Sequence, residues 1–317
     1  MSRVLNIKDP RSQLPDLETP CIIYPTEMGL IPHITPDVDE NSPVYISACD
    51  VFENSLPTNT TIPKALGLGN RWVFFGPSSE FNNFEEGPSK DSVKIYARNG
   101  AIKTFKAEDY QALVDRVKPQ GVVCLFSNIL EGVSKRQKKM RVQAADQFAK
   151  EFEGTITFVS EYAEKNKQCA LFAQCSEFTE KVAERLKAEF MYRNEELPRM
   201  IMMDGHPDDL RKAISIGFDL FILKLPMIYA KNGIAMTFSF DDKIDELGID
   251  LKSPEYEHDH TPVLEGCDCP CCQHYTKSYL YHLLEVHEML SNTLLMQHNY
   301  YHYEKFIQSI KATIQNQ

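Results

Sequence analysis

The sequence predicts an α/β chain of repeated strand–helix units, closing as a (β/α) barrel or lying as an open doubly wound sheet. A helical metal-binding segment follows. Three observations carry this prediction. Short apolar runs alternate with amphipathic stretches from about residue 20 to residue 223, the connections between them are as short as parallel β-α units use, and four cysteines fall within six residues near position 270.

Taken in order, Cys21–Tyr24, Val44–Ala48 and Trp72–Phe75 read as short buried strands. Val93–Tyr96 and Ile102–Phe105 flank Arg98-Asn99-Gly100, a hairpin signal. A helix is predicted over 107–117, a strand over Val122–Phe126 and a helix over 134–152. A strand over Ala170–Phe172 and a helix over 176–190 come next. Strand Met200–Met203, helix His206–Ser215 and strand Phe218–Leu223 complete the series. Pro207 suits the first turn of that last helix, and Asp208 and Asp209 favour the positive end of its dipole. No glycine-rich phosphate fingerprint follows any of these strands, which argues against a dinucleotide fold. Residues 241–262 are acidic and poorly periodic and read as a loop. Leu280, Leu283, Leu284, Leu290, Leu294 and Leu295 then keep helical spacing for burial. This sets a barrel over 1–240, with an acidic loop and metal-binding helices over 241–317 packed on it as a single structural unit.

Composition narrows the function. The 317 residues are 43% hydrophobic and 25% charged, as in an ordinary soluble protein, and no apolar run reaches the roughly 20 residues of a membrane span. The net charge of −11 is not that of a free-standing nucleic-acid binder, so any polyanion must meet a local patch or another subunit. Met1-Ser-Arg-Val-Leu-Asn-Ile-Lys has no apolar signal core, and nine cysteines are an odd number. A reducing compartment is expected, where such clusters bind metal.

Cys267-Asp-Cys269-Pro-Cys271-Cys272 offers three thiols in a C-x-C-x₂-C register, and His298 supplies an imidazole. Three sulfurs and one nitrogen are the ligand set of a closed structural Zn²⁺ site. Were 273–298 one straight helix it would be about 39 Å long at about 1.5 Å per residue, and His298 could not reach the sulfurs. A zinc site on Cys267, Cys269, Cys272 and His298 therefore requires a helical hairpin with a turn near His287 to Asn292. Cys271 is then the spare thiol, and His274, His282 and His287 are rival imidazoles better placed at a surface or interface.

The same segment resembles a known family. The knuckle, Tyr275-Thr-Lys-Ser-Tyr-Leu-Tyr-His-Leu283, Glu288-Met-Leu and Leu294-Leu-Met-Gln-His298-Asn299 are similar to the C-terminal zinc segment of the tRNA-guanine transglycosylases. Pro198-Arg199 through Gly205-His-Pro207-Asp208-Asp209-Leu210 resembles the family's stretch ending in G-x-P-x-D-L. Gly217-Phe218-Asp219-Leu220-Phe221 resembles its G-V-D-M-F, and Thr19-Pro20-Cys-Ile-Ile-Tyr with Thr35-Pro36 resembles its first strand and L-T-P turn. The resemblance implies a (β/α)₈ TIM-like barrel with a C-terminal helical zinc-binding subdomain and one structural Zn²⁺. It implies an enzyme that exchanges guanine for queuine at the wobble position of tRNAs with GUN anticodons.

Catalytic members read G-V-D-M-F-D-C-V-x-P-T-R, and the aspartate after phenylalanine attacks the ribose C1′. Retaining cleavage of an N-glycosidic bond needs that carboxylate and a second acid/base group. Here the nucleophile position is Ile222, and P-T-R is Pro226-Met227-Ile228. No T-D-S-G-G-F-Q is present; Gly76-Pro-Ser-Ser-Glu-Phe-Asn is the nearest stretch. No G-G-L-A-V-G-E base-recognition loop is present either, since the chain runs from Phe190-Met-Tyr-Arg to Pro198 within a few residues. The pattern is similar to the family's non-catalytic eukaryotic branch, in which Gly233-Ile-Ala-Met-Thr-Phe-Ser-Phe-Asp241 also has its like. It implies no catalytic residue of its own, a heterodimer with a catalytic homologue, tRNA bound through the complex, and a homodimer when alone. It further implies a cytoplasmic location, peripheral at the mitochondrial outer membrane, without a lipid anchor: position 2 is not Gly and no C-terminal prenylation box is present.

Lys135, Arg136, Lys138, Lys139 and Arg141 form a basic run on the predicted 134–152 helix and are candidate tRNA phosphate contacts; a solvated helix face is the alternative. Lys224 and Lys231 are weaker candidates, and Tyr229 and Tyr279 suit core or interface better than base stacking. Two other functions stay open: an active enzyme drawing its carboxylate from Asp204, Asp219 or Glu265, and a zinc-stabilised base-binding module without a catalytic partner.

Overall fold

The computed structural model describes residues 2–11, 13–34, 41–53, 59–69, 71–77, 92–96, 102–125, 139, 143, 155–160, 169–190, 194–240, 244 and 246–316. Two compact units emerge. The first comprises Met1–Ile31, Thr35–Asp204 and Lys212–Leu223, and the second Pro32–Ile34, Gly205–Arg211 and Lys224–Gln317.

The first unit carries strands β1 (Asn6–Ile7), β2 (Leu17–Glu18), β3 (Cys21–Pro25), β4 (Val44–Ser47), β5 (Val73–Gly76), β6 (Ser92–Tyr96) and β7 (Ile102–Lys106). It continues with β8 (Gly121–Val123), β9 (Ile156–Ser160), β10 (Ala170–Gln174), β11 (Arg199–Met203) and β12 (Leu220–Leu223). Eight of them close into a parallel barrel in the order β10–β11–β12–β3–β4–β5–β8–β9. A strand buried on both faces reads as a continuous apolar run rather than an alternating one, as in the Val-Phe-Phe-Gly of β5 and the Leu-Phe-Ile-Leu of β12. Of the two architectures left open by periodicity, the closed barrel is the one adopted. Strands β6 and β7 form the antiparallel pair anticipated from their turn signal, although Arg98-Asn99-Gly100 itself lies outside the described residues.

The barrel interior can be identified from side-chain period. Ile23, Tyr45, Phe74, Val123, Phe158, Phe172, Met202 and Ile222 come one from each barrel strand and belong to a single buried cluster. Ala170, Met200 and Leu220 join it at two-residue spacing. Alternate positions such as Ile22, Ile46, Phe75, Val159, Ile201 and Phe221 are buried too and point to the other face of each strand. Gly121 is required by this packing: a Cβ there would come within 2.6 Å of the Phe74 ring and 2.9 Å of Phe158.

The opposite, strand-start end is closed by the β1–β2 hairpin, whose Ile7 enters the same cluster. The Trp72 indole Nε1 donates to the Pro15 carbonyl at 2.9 Å. Arg3 donates to both oxygens of Asp219 at 2.9 and 2.6 Å, to the Leu197 carbonyl and to the Glu195 carbonyl. Asp219 is fully buried and accepts the Arg199 backbone N–H as well. Burial pushes its carboxyl above the usual range and the hydrogen bonds from Arg3 oppose that shift.

Helices α1 (Ala48–Glu53), α3 (Ala107–Val117), α4 (Glu180–Phe190) and α5 (Pro207–Ile216) each follow a strand, and α2 (Ile62–Ala65) follows α1. Helix α3 has the predicted bounds and ends on Lys118 in the left-handed region at φ 50°. Helix α4 starts four residues later than 176. Of the 134–152 helix, Lys139 and Gln143 are helical and the rest lies outside the described residues. Strand β9 was not anticipated: Ile156-Thr-Phe-Val-Ser160 is a five-residue run with two polar residues among its apolar ones.

The second unit contains α6 (Leu225–Lys231), β13 (Ile234–Met236), β14 (Gly248–Asp250), α7 (Pro270–His274), α8 (Lys277–Glu285) and α9 (Met289–Gln315). The expectation of a plain loop over 241–262 needs correction. β14 pairs with β13 and a 3₁₀ turn spans Pro254–Tyr256. Polar residues there serve local hydrogen bonds: Lys277 Nζ meets Asp259 at 3.0 Å, and Ser278 Oγ donates to the Glu257 carbonyl at 2.6 Å.

Because Asp219→Ala leaves the Arg3 guanidinium without its carboxylate, it is expected to cost about 3 kcal/mol or more in urea unfolding. Asp219→Asn, which keeps an acceptor, should cost less; a negligible loss in Asp219→Ala would refute the ion pair's role.

Candidate metal centre and catalytic position

Within the second unit, the sulfurs of Cys267, Cys269 and Cys272 and a ring nitrogen of His298 lie within 4.8 Å of one another, all four residues buried. His298 Nδ1 stands 3.9, 3.4 and 3.3 Å from the three sulfurs in chain order. Bonds of about 2.3 Å to sulfur and 2.0–2.1 Å to nitrogen around a tetrahedral centre put S and N about 3.6 Å apart. The observed distances bracket that value, so the donor set fits a metal ion.

Local sequence explains the convergence. Gly266 takes φ +75° immediately before Cys267. Cys269 caps α7, its sulfur accepting the Cys272 N–H at 3.3 Å, and Pro270 fills the first helical position. The hairpin between α8 and α9 turns at His287, whose φ of 57° is left-handed. There the Glu288 N–H donates to the Leu283 carbonyl and the His287 N–H to the Leu284 carbonyl, the paired bonds of a Schellman stop. Helix α9 then carries His298 back to the knuckle, as the spacing argument required.

The tautomer of His298 is fixed from behind. Its Nε2 lies 2.8 Å from the Met236 carbonyl, which can only accept, so Nε2 carries the proton and the Nδ1 lone pair would be free to bind an ion held by the three sulfurs. Asn299 beside it is fully used: Oδ1 accepts the Met236 N–H, and Nδ2 donates to the carbonyls of Pro226 and Ile234. One turn on, His302 Nε2 pairs with the Phe238 carbonyl at 2.9 Å. Burial, and then His298, lowers its pKa to about 4, which keeps it neutral. With the sulfurs this close, Cys269 and Cys272 hold Cys267 far below the usual thiol range, while Cys269 and Cys272 are pushed up. A dication held by these residues would relieve that crowding by binding all three as thiolates.

Cys271 is buried next to Cys269 but outside the cluster. His274, His282 and His287 are exposed and take no part. Tyr279 is exposed and stacks on Tyr275 at 5.3 Å between ring centroids; Tyr229 and Lys224 are half-buried and Lys231 is exposed. Of the basic run, Lys139 is exposed on helical backbone; Lys135, Arg136, Lys138 and Arg141 lie outside the described residues.

In the first unit, Ile222 is 0% exposed and paired across the sheet with Met202 and Ile23. Three carboxylates were open as substitutes. Asp219 begins its strand three residues earlier, roughly 10 Å away at about 3.3 Å per residue, and is held by Arg3. Glu265 is exposed in the second unit. Asp204 follows β11, two residues beyond Met202, and is half-buried. A fourth, Asp50, escaped sequence reasoning. It stands just after β4, buried, and accepts from the Thr26 and Ser47 hydroxyls and the Met28 and Ser47 N–H groups. With both oxygens engaged by groups at the ends of β3 and β4, it staples the two strand ends together.

Metal analysis of purified protein should give one equivalent per chain, retained in Cys271→Ser and lost in Cys269→Ser or His298→Ala. Sites of this kind contribute roughly 10–16 kcal/mol in small peptides, so the last two variants should also melt the second unit. Retention of metal in His298→Ala would contradict the assignment.

Residues 174–317 match the family described as queuine tRNA-ribosyltransferase. Among curated relatives, the queuine tRNA-ribosyltransferase accessory subunit 2 of Homo sapiens is 31% identical over 38% of this chain and 38% of its own length. The accessory subunit 2 of Culex quinquefasciatus is 24% identical over 94% of this chain and 81% of its own length. The queuine tRNA-ribosyltransferase of Natranaerobius thermophilus is 34% identical over 43% of this chain and 35% of its own length. The match thus spans little more than a third of the human and N. thermophilus proteins. The C-terminal part of the chain is thus similar to the queuine tRNA-ribosyltransferases, and over most of its length the chain is similar to relatives named accessory subunit 2.

Proposed function

We propose that this chain is the non-catalytic accessory subunit of a heterodimeric queuine tRNA-ribosyltransferase, the complex that exchanges guanine for queuine at the wobble position of tRNAs with GUN anticodons. The observation that carries the reading is Ile222, a buried aliphatic side chain where the family motif has its ribose-attacking aspartate. Isoleucine has no lone pair, so no covalent ribosyl intermediate forms at this position. The catalytic partner supplies the nucleophile and base pocket; this chain supplies a dimer scaffold and positions tRNA. The names of the relatives support the pairing, since an accessory subunit presupposes another.

The ion of the Cys267, Cys269, Cys272 and His298 centre is Zn²⁺ in this proposal. Three thiolates and an imidazole in tetrahedral array with no open position suit a structural zinc. Its role is to hold the start of α7 against the middle of α9. The basic run Lys135, Arg136, Lys138, Lys139 and Arg141 supplies phosphate contacts, and the complex works in the cytoplasm. A second reading, an active enzyme using another carboxylate, draws on Asp204, which follows the strand next to that of Ile222.

Purified alone, the chain should exchange no labelled guanine into tRNA, whereas mixing with a catalytic homologue should give a 1:1 complex and activity. Exchange by the chain alone, abolished in Asp204→Asn, would establish the second reading instead. Ile222→Asp should not create activity and should destabilise the barrel by several kcal/mol, because a lone buried carboxylate is costly. Burial raises the pKa of the introduced carboxyl, so the loss should be least near pH 4, where only the cavity and the unpaired polar group remain, and grow as pH rises. Lys138→Glu with Lys139→Glu should weaken tRNA binding by the complex and reduce its log–log salt slope by about 1–2; an unchanged slope would remove the patch.

A further inference from the structure

Of the four candidate ligands, Cys269 and His298 are 0% exposed, whereas Cys267 and Cys272 each keep 8%. A cavity of about 340 Å³ within the second unit reaches one of them. Cys267 lies in its wall together with Phe240, Glu265, Asp268, His302 and Lys305, and none of the other three ligands does. Gly266 precedes Cys267 with φ +75°, and no atom stands within 4 Å of where its Cβ would be. The approach along the knuckle is open on this side.

The wall also carries an unused donor. His302 is 4% exposed and gives its Nε2 proton to the Phe238 carbonyl. Among the described residues its Nδ1 has no hydrogen-bond partner, so the ring brings a spare nitrogen lone pair to the cavity. A buried acceptor left unpaired is costly in a closed interior, and a cavity that admits water and ions accounts for it. The Cys267 sulfur is near enough to act on this ring electrostatically. Glu265, Asp268 and Lys305 are exposed and set the charge of the approach.

We infer that this cavity is the exchange port of the candidate metal centre. Cys267 is the ligand that lets go first, and small chelating or thiol-reactive molecules meet it there. Exchange breaks the bond between the ion and Cys267 Sγ, whose electron pair stays on sulfur. A donor pair from the incoming chelator takes its place, and nothing is oxidised or reduced. Cys269, whose sulfur also accepts the Cys272 N–H, and His298, held from behind by the Met236 carbonyl, stay until that first ligand has gone. The inference rests on the zinc reading above and adds the route by which the ion is lost.

Two measurements on the full chain loaded with one equivalent of Zn²⁺ test the port. Brief treatment with substoichiometric iodoacetamide, followed by tandem mass mapping, should label Cys267 ahead of Cys269 and Cys272. First labelling at either of those two would overturn it. At low salt, metal transfer to anionic EDTA should run about twofold or more faster in Glu265→Lys and slower by a similar factor in Lys305→Glu. Transfer to neutral 1,10-phenanthroline should be unchanged in both variants. Release through unfolding would instead move both chelators together, and that result, or EDTA rates indifferent to both charges, would overturn the port. A chain that takes up no zinc would overturn the zinc reading and the port with it, whereas a bound ion with the wrong rates would overturn the port alone.

Discussion

A closed ring of eight parallel strands encloses a fixed volume, and what fills that volume decides what the barrel can do. Here it is taken by side chains from every strand, aromatic at Tyr45, Phe74, Phe158 and Phe172 and aliphatic at Ile23, Met202 and Ile222. Two wall positions, Gly76 and Gly121, have given up their side chains to rings from neighbouring strands. Such exchange, a large residue beside a glycine, keeps density constant while moving bulk toward the centre. Hydrophobic packing supplies stability, and the same packing leaves no place for a charged group at position 222. The proposed loss of chemistry and the quality of the interior are two aspects of one arrangement.

The second unit solves a different problem. Its 27-residue helix is too long to be specified by end caps alone, and it is fixed along one face. His298 contributes to the metal cluster through one nitrogen and holds the Met236 carbonyl through the other. Asn299 bonds three backbone groups, His302 a fourth, and the Tyr303 hydroxyl donates to the Gly205 carbonyl at 2.6 Å. Residues three and four apart lie on one side of a helix, so this stripe fastens α9 to α6 and β13 with hydrogen bonds and places His298 in the candidate metal site. Phe238 and Phe240 pack on the His302 ring at 4.5 and 5.0 Å between centroids, and Phe306 packs on both phenylalanines at 5.3 and 5.6 Å.

Much of this was legible in residue types and spacing. Four ligands on two elements demanded a turn between them, and the left-handed His287 is that turn. Apolar runs without alternation announced strands buried on both faces, as in β11 and β12. What escaped notice had weak local signals. Strand β9 is five residues in a polar neighbourhood, and β14 and the Pro254 turn are held by contacts with distant residues. The packing of Tyr45 over Gly76 is a relation between two strands 31 positions apart in sequence, and periodicity sees only one strand at a time. Asp50 was overlooked for a similar reason: its four donors come from Thr26, Met28 and Ser47, which only the closed sheet brings together.

The most direct test of the central claim is to stop the reconstituted complex with denaturant during turnover on labelled tRNA and ask which polypeptide carries RNA. The account predicts a covalent adduct on the catalytic chain alone, with none on this chain in the complex or by itself. RNA attached to this chain would contradict it.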